Sequence, residues 1–298
     1  MAEENFAAIC TMPKSGTWYC HYFFHFLSHL RVGNNPVPLR PREGAFSLKE
    51  LGISGFVICH AECPAFQAYD GPLRARWEQL QYHTQGYNWA ALGFAQRPQF
   101  LPQHRPEARL VYICRNPFDQ AVSFFDHGQK HQDQTVLAGK DKRGQCARSA
   151  NGEPLLPASP KDFFFSHNFE SFLKQYLSWK LSEKIFPNQI RIIPYEDLVR
   201  RPTENFASIL DFIGVDRNAA DFPEHFEGAL RLSSKDNIKK YEDWTGQAIG
   251  RDQTDSNSRH VRDGKVAKWR YHFSDEDFNR MCELFGEWGV SPSEFVFE

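Results

Sequence analysis

The chain has 298 residues, of which 41% are hydrophobic and 15% aromatic, enough to bury a large core as one α/β domain. Lys and Arg total 35 against 37 for Asp and Glu, so a formal charge of -2 gives no general reason to expect nucleic acid or an acidic membrane as partner. No apolar run approaches the roughly 20 residues that span a bilayer, and the first residues do not resemble a signal peptide, so we expect a cytoplasmic protein.

The first 30 residues predict an anion site. Residues 6–10 form an apolar run typical of a buried strand, residues 11–17 contain turn formers, and residues 18–30 have helical spacing. A strand that enters a helix through a short loop leaves backbone N–H groups exposed at the positive end of the helix dipole, where phosphate binds. The loop is not a Walker loop, because Lys14 precedes its only glycine, Gly16.

A second apolar run, residues 55–59, ends in His60. Between the two runs, residues 31–51 are rich in Pro, Gly and Asn and predict a surface connection with one helical turn. A titratable residue at the end of a buried parallel strand lies where open α/β sheets bind ligands, although hydrogen bonds at a strand end can also account for a histidine. Residues 64–106 are rich in aromatics, with a helix expected near 73–82, and form either a substrate cap or core.

A third strand is predicted over residues 108–114, followed by Arg115, Asn116 and Pro117 at the start of a helix. Arg115 at the strand end and Ser123 on the helix can converge. Arginine presents a planar fork suited to phosphate oxygens, and a serine hydroxyl adds one donor. This segment is therefore a second candidate phosphate site.

The remaining pattern continues the α/β alternation. Residues 126–160 are polar and loop-like, 163–185 predict an amphipathic helix, 189–194 a strand, 195–198 a turn and 202–213 a helix. The economical architecture is a single domain with a central parallel sheet flanked by helices.

Seven cysteines follow neither a disulfide framework nor a paired zinc spacing. Cys59, His60 and Cys63 lie close in sequence but lack a second ligand pair. We expect reduced, buried thiols and no metal.

Both phosphate segments resemble those of the sulfotransferases that use 3'-phosphoadenosine 5'-phosphosulfate (PAPS) and release adenosine 3',5'-bisphosphate (PAP). Pro-Lys-Ser-Gly-Thr at 13–17 is similar to their 5'-phosphosulfate loop, and VYICRNPFDQAVSFF at 111–125 to their 3'-phosphate segment. The resemblance covers about residues 6–275. It implies one sulfotransferase domain over 1–298 with a P-loop-like phosphosulfate loop, in which about 64–106 and 126–160 cover the substrate.

The resemblance also implies roles for individual residues. Lys14 would stabilise charge on the bridging oxygen, and either Tyr19 or Trp18 would stack on adenine. The other implied cofactor-binding residues are Ser15, Gly16 and Thr17 for the 5'-phosphate, Arg115 and Ser123 for the 3'-phosphate, Tyr195 near adenine, and Ser233, Arg262 and Gly264 nearer the C-terminus.

His60 matches the family's catalytic base, which takes the acceptor proton. Glu62 is the rival or helper base, and we favour His60 because the usual pKa of imidazole is better suited to the task. Two positions depart from the family pattern: Ile58 stands where soluble aryl sulfotransferases have a catalytic lysine, and Asp263 stands where a cation is expected.

The implied reaction transfers a sulfuryl group in line to a hydroxyl or amine of a small-molecule acceptor, such as a phenol, alcohol, steroid or natural product. A cationic alkaloid of the saxitoxin type is a more specific hypothesis, with Glu62 and Asp126 as anchoring carboxylates. Two alternatives from other classes are a P-loop phosphotransferase and an inactive nucleotide-binding protein. The oligomeric state stays open, a homodimer included.

Overall fold

A computed structural model describes residues 5–33, 48–60, 62–80, 105–129, 137, 148–245 and 267–298. Within these residues, four parallel strands form one sheet in the order β2-β1-β3-β4. The strands are β1 (Phe6–Thr11), β2 (Gly55–Cys59), β3 (Arg109–Cys114) and β4 (Ile190–Pro194). All four predicted strands are confirmed, to within one residue at each end.

The pairing register aligns the carboxyl ends of the strands. Cys10 pairs with Cys59 on one side and with Tyr112 on the other, and Tyr112 pairs in turn with Ile192. The loops that follow the four strands therefore emerge at one edge of the sheet, which is where open parallel sheets bind their ligands.

Helices cover both faces of this sheet. They are α1 (Thr17–Arg31), α2 (Leu73–Gln79), α3 (Pro117–Gln129), α4 (Pro160–Phe163), α5 (Phe169–Ile185), α6 (Tyr195–Arg200), α7 (Pro202–Ile213), α8 (Phe222–Leu232), α9 (Lys235–Thr245) and α10 (Asp275–Gly286). The chain is thus an α/β protein, as its sequence predicts.

Two aromatic cores hold the layers together. On one face the Tyr112 ring of β3 stacks on Trp179 of α5, with centroids 4.9 Å apart and an interplanar angle of 5°. On the other face Phe23 of α1 stacks on Phe206 of α7 at 3.8 Å. Burying four large rings removes enough apolar surface from water to fix α1 and α5 on opposite faces.

Three local predictions need correction. The turn expected at 195–198 is a short helix, α6, which begins after extended Pro194 and carries two acidic residues in its first turn, where they favour the helix dipole. The helix expected at 163–185 contains a π-helical turn, Phe164–Asn168. The helix expected near 73–82 ends at Gln79.

The helical turn expected within 31–51 is the 3₁₀ turn Lys49–Leu51. The helices α8, α9 and α10 were not predicted. Across the ranges that the structure describes, no helix has the length and apolar character needed to cross a membrane.

Candidate functional site

The loop between β1 and α1 has the geometry of an anion site. Lys14 and Gly16 both have left-handed backbone conformations, with φ of 69° and 90°. The Met12 N–H donates to Ile113 O, and the Ser15 N–H donates to Met12 O, so the loop is tied to β3 and to itself. Gly16 is the N-cap of α1 and no side chain caps this terminus, which leaves the N–H groups of the first turn for a ligand.

Tyr195, the first residue of α6, packs on this loop. A Cβ atom placed on Gly16 would lie 2.6 Å from Cδ2 and Cε2 of the Tyr195 ring. Glycine is thus required at position 16 both for its positive φ and for the close approach of the ring. The predicted site residues Gly16 and Tyr195 are in contact.

Arg115 joins the two phosphate segments. Its Nη1 donates to Lys14 O at 3.2 Å, and its guanidinium carbon lies 5.0 Å from the centroid of the Tyr195 ring. The residue is 7% exposed. Two segments a hundred positions apart in sequence, which we predicted independently as phosphate sites, therefore meet at Arg115.

Two carboxylates beside Arg115 were not predicted as site residues. Asp119 Oδ2 lies 4.0 Å from Arg115 Nη2, and Glu196 Oε1 lies 4.0 Å from Arg115 Nε. The i, i+4 spacing of Arg115 and Asp119 at the start of a predicted helix was a signal for the first contact. The Glu196 contact depends on strand order, which the sequence pattern does not fix.

Asp119 also holds a segment near the C-terminus. It is 1% exposed and accepts from the Ala267 N–H at 2.7 Å and from the Trp269 N–H at 2.9 Å. Ala267 has a φ of 61°, so the chain turns sharply where it meets this carboxylate. One buried carboxylate thereby connects Arg115 to the segment that follows the predicted Arg262 and Gly264.

Glu196 is 1% exposed and accepts from the Asn116 N–H at 3.1 Å through Oε1. Burial raises the pKa of its carboxyl to about 7, although the Asn116 N–H and Arg115 both act in the opposite direction. Its second oxygen, Oε2, has no hydrogen-bond partner among the described residues. This buried acid therefore titrates near neutral pH.

Ser15 fits the predicted contact with a phosphate group. It is fully buried, and its hydroxyl has no hydrogen-bond partner in the part of the chain that the structure describes. A buried hydroxyl in this state costs free energy unless a partner reaches it. Together with the uncapped helix terminus and Arg115, this hydroxyl is of the kind that suits phosphate groups.

His60 contacts the same loop from the end of β2. Its Nδ1 lies 2.9 Å from Thr11 O and 2.9 Å from Thr11 Oγ1, and its Nε2 lies 3.4 Å from Thr17 Oγ1. Because a carbonyl oxygen only accepts, Nδ1 carries the proton in the neutral ring and Nε2 keeps its lone pair. Burial lowers the pKa of His60 to about 4, the Thr11 hydrogen bond raises it, and the nearby charge of Lys14 lowers it further.

Glu62, the rival base, has the opposite shift. Burial raises its pKa to about 7, partly offset by the positive charge of Lys174 on α5. We favoured His60 because of the usual pKa of imidazole, and in the folded protein that reason does not hold. Glu62 titrates closer to neutral pH, while His60 is the residue hydrogen-bonded to the loop at Thr11 and Thr17.

The two aromatic candidates for adenine stacking lie on different sides of α1. Tyr19 packs edge-on against Phe206 at 5.2 Å, and burial together with the neighbouring Cys20 and Tyr195 raises the pKa of its hydroxyl. Trp18 instead packs against His21, with ring centroids 5.5 Å apart. Tyr19 is therefore the candidate that has Tyr195 as a neighbour.

The other predicted residues are less closely connected to this site. Ser123 lies on α3 one helical turn after Asp119 and is partly exposed, as is Asp126. Ser233 is fully buried between α8 and α9, and its hydroxyl donates to Leu230 O within its own turn. Arg262 and Gly264, together with Asp263, lie outside the described residues.

The cysteines near His60 are buried. Cys10 and Cys59 face each other across β1 and β2, with Sγ atoms 3.5 Å apart. The Cys63 N–H donates to Ser178 Oγ, so this residue points toward α5. Within the described ranges, no group of three or more His, Cys, Asp or Glu side chains could hold a metal ion.

Comparisons with known proteins agree on one family. The model of the sulfotransferase domain family matches residues 7–289. Flavonol 4'-sulfotransferase of Flaveria chlorifolia is 27% identical over 185 residues, which are 60% of this chain and 52% of that enzyme. The match thus spans about half the length of that relative.

Solved structures show the same fold. A mouse sulfotransferase complexed with PAP aligns over 96% of this chain and 85% of its own, with a TM-score of 0.54 and 17% identity. Retinol dehydratase in complex with androsterone and inactive cofactor PAP aligns over 96% and 81%, with a TM-score of 0.51 and 14% identity. At these identities the likeness establishes the fold.

Proposed function

This chain belongs to the sulfotransferase family, and we propose that it transfers the sulfuryl group of PAPS to a hydroxyl or amine of a small-molecule acceptor. The observation that carries the proposal is the hydrogen bond from Arg115 to Lys14 O, 3.2 Å long, which brings both phosphate segments together beside His60. A carrier with phosphates at two positions of one nucleoside suits two separate anion sites that share one surface.

The residues that would hold PAPS are those of this surface. The N–H groups at the start of α1 and the hydroxyls of Ser15 and Thr17 would hold the 5' end, and Arg115 the 3'-phosphate. Tyr19 is our choice for the adenine side, because it lies toward Tyr195. PAPS supplies the sulfuryl group, and Lys14 provides positive charge where the leaving oxygen becomes negative.

We propose His60 as the general base. Thr11 O fixes the Nδ1 proton, so Nε2 keeps the lone pair that can take the acceptor proton. A low pKa suffices here, since an acceptor oxygen becomes strongly acidic as it bonds to sulfur in a loose transition state. Negative charge held at Lys14 would also remove part of the effect that lowers the His60 pKa.

The acceptor class is argued from the relatives and from the charge beside Glu62. One relative is named a flavonol sulfotransferase, and one similar structure is a complex with androsterone. Flavonols and androsterone are both hydroxylated small molecules. Lys174 acts on Glu62 as a nearby positive charge, which disfavours a guanidinium acceptor at that carboxylate. We therefore propose a neutral hydroxylated acceptor ahead of a cationic alkaloid.

Ligand-induced thermal stabilisation tests the nucleotide part. PAP should raise the melting temperature far more than AMP or ATP do, and Arg115→Ala should lose the difference, because a ligand stabilises by RT ln(1 + [L]/Kd). Arg109→Ala is the matched control: Arg109 begins the same strand at its other end and donates to Pro106 O and Ala108 O. Equal shifts with PAP and ATP would contradict the proposal and favour a phosphotransferase.

A transfer assay tests the chemistry. PAP release from PAPS is followed with panels of phenols, alcohols, amines and guanidinium compounds, in the presence of EDTA. Release that depends on an acceptor supports sulfuryl transfer. Tight PAP binding without release for any acceptor would instead favour an inactive nucleotide-binding protein, in keeping with Ile58 at the position where the family has a lysine.

A further inference from the structure

We propose that Glu196 is a positioning residue that takes up a proton when a 3'-phosphate binds at Arg115. The inference rests on the proposed function, since it assumes that Arg115 is the 3'-phosphate site. It adds a coupling between nucleotide affinity and pH that the transfer reaction itself does not require.

The charges around Arg115 make this coupling necessary. One guanidinium lies 4.0 Å from both Asp119 and Glu196, and all three side chains are at most 8% exposed. A phosphate dianion that binds this guanidinium would place two further negative charges near two buried carboxylates. Buried like charges repel strongly, so one carboxylate must be neutralised for the phosphate to bind well.

The hydrogen bonds decide which carboxylate is neutralised. Both oxygens of Asp119 accept backbone N–H groups, from Ala267 and from Trp269, so a proton there would cost a hydrogen bond. Glu196 accepts from the Asn116 N–H through Oε1, whereas its Oε2 has no hydrogen-bond partner among the described residues. A proton can occupy Oε2 without displacing any donor.

The titratable groups near Glu196, apart from Arg115, favour its protonated form. Glu196 has as titratable neighbours Cys114 at the end of β3, Arg115 in the loop that follows, Asp119 on α3 and Tyr195 on α6. Among these titratable groups only Arg115 favours the ionised carboxylate, and burial raises the pKa of Glu196 to about 7 despite Arg115 and the backbone N–H groups of Asn116 and Glu196. When the phosphate takes over the Arg115 charge, this pKa rises further. The proton comes from solvent and bonds to Oε2.

Isothermal titration calorimetry of PAP at pH 8 in buffers of different ionisation enthalpy measures the proton uptake. At pH 8 phosphate groups, with a second pKa of about 6, are already dianionic, so any uptake belongs to the protein. We expect between half a proton and one proton per PAP for the unaltered protein and near zero for Glu196→Gln. Asp197→Asn is the matched control at the next residue of α6: its carboxylate pairs with Arg201 rather than with Arg115, so this variant should keep the uptake.

The affinity gives a second readout. The Kd for PAP should rise about tenfold between pH 7 and 8.5 in the unaltered protein and less than about twofold in Glu196→Gln. AMP lacks the 3'-phosphate and should bind the unaltered protein without proton uptake at pH 8, an arm that needs no variant.

The outcomes separate the two proposals. PAP binding with no uptake, or with equal uptake in Glu196→Gln, overturns the role of Glu196 and leaves the proposed function intact. Uptake with AMP equal to that with PAP also overturns it. Failure of PAP to bind the unaltered protein overturns the proposed function, and the coupling with it.

Discussion

Replacing Gly16 by alanine should destabilise the protein and weaken PAP binding, because the new Cβ atom would collide with the Tyr195 ring. The same substitution at Gly52 separates this collision from backbone strain. Gly16 has a φ of 90°, and a Cβ there would lie 2.6 Å from two atoms of the Tyr195 ring. Gly52 has a φ of 81° and nothing within 4 Å of the same position. Gly52→Ala therefore carries the backbone strain alone, and Gly16→Ala carries the strain and the collision.

The two contributions can be given magnitudes. An L-residue in the left-handed region costs about 1–2 kcal/mol, partly offset by about 0.4–1 kcal/mol because alanine restricts the unfolded chain. Forcing extra volume into a packed site costs about 1–3 kcal/mol more. We expect Gly52→Ala to lower the free energy of unfolding by about 1 kcal/mol or less, and Gly16→Ala by about 2–4 kcal/mol.

Urea denaturation monitored by tryptophan fluorescence measures both variants, and calorimetry gives their Kd for PAP. The Tyr195 ring packs beside Arg115, so a displaced ring should weaken PAP binding by at least about tenfold in Gly16→Ala only. Tyr195→Ala should cost less in the Gly16→Ala background than alone, since it removes the collision. Equal stability of the two alanine variants, or additive effects of Gly16→Ala and Tyr195→Ala, would refute the reasoning.

Four further predictions concern charged or titratable groups. Arg115→Lys should weaken PAP binding by about tenfold or more in calorimetry, because a lysine cannot reproduce the planar fork; an unchanged Kd would contradict this. Asp119→Asn should lower the free energy of unfolding by about 1–3 kcal/mol in urea, since an amide oxygen and NH₂ group cannot accept both the Ala267 and the Trp269 N–H; a cost within error of zero would exclude that anchoring role. Folding lowers the pKa of His60 from 6.5 to about 4, so its contribution to stability is present above pH 6.5 and is lost as the pH falls toward 4. His60→Gln should therefore flatten the dependence of the free energy of unfolding on pH between 6.5 and 4. An unchanged dependence in this variant would show that other groups cause it. The same variant should lose about 10²- to 10⁴-fold in kcat if His60 is the base. If Glu62 is the base, Glu62→Gln should show that loss instead, together with loss of the fall in kcat below pH 7.

The sheet and the loops at its carboxyl edge could be predicted from the sequence because each strand is a short apolar run followed by turn formers. Residues 6–10 and 55–59 have this form, and the positions of Lys14, His60 and Arg115 follow from it once the strands are parallel. The π-helical turn at Phe164–Asn168 could not be predicted, since it depends on packing rather than on local spacing.

The electrostatics of the site could not be predicted in the same way. His60 and Glu62 exchange their usual order of pKa because both are desolvated, and burial acts in opposite directions on an imidazole and a carboxyl. The contact of Glu196 with Arg115 needs β4 beside β3, which is a matter of strand order. A pattern in the sequence identifies which charged groups are present, and only the assembled sheet determines which carboxylates lie beside Arg115.

The strand order β2-β1-β3-β4 also has a consequence for how the site comes into existence. The strand β1, which precedes the other three described strands in the chain, takes its partners from segments about 50 and 100 positions later, Gly55–Cys59 and Arg109–Cys114. Such non-local pairing is slow, because the entropy of closing long loops is lost before the contacts form. The phosphate loop is therefore completed late in folding, and nucleotide binding by a refolding chain should lag behind the recovery of its helices.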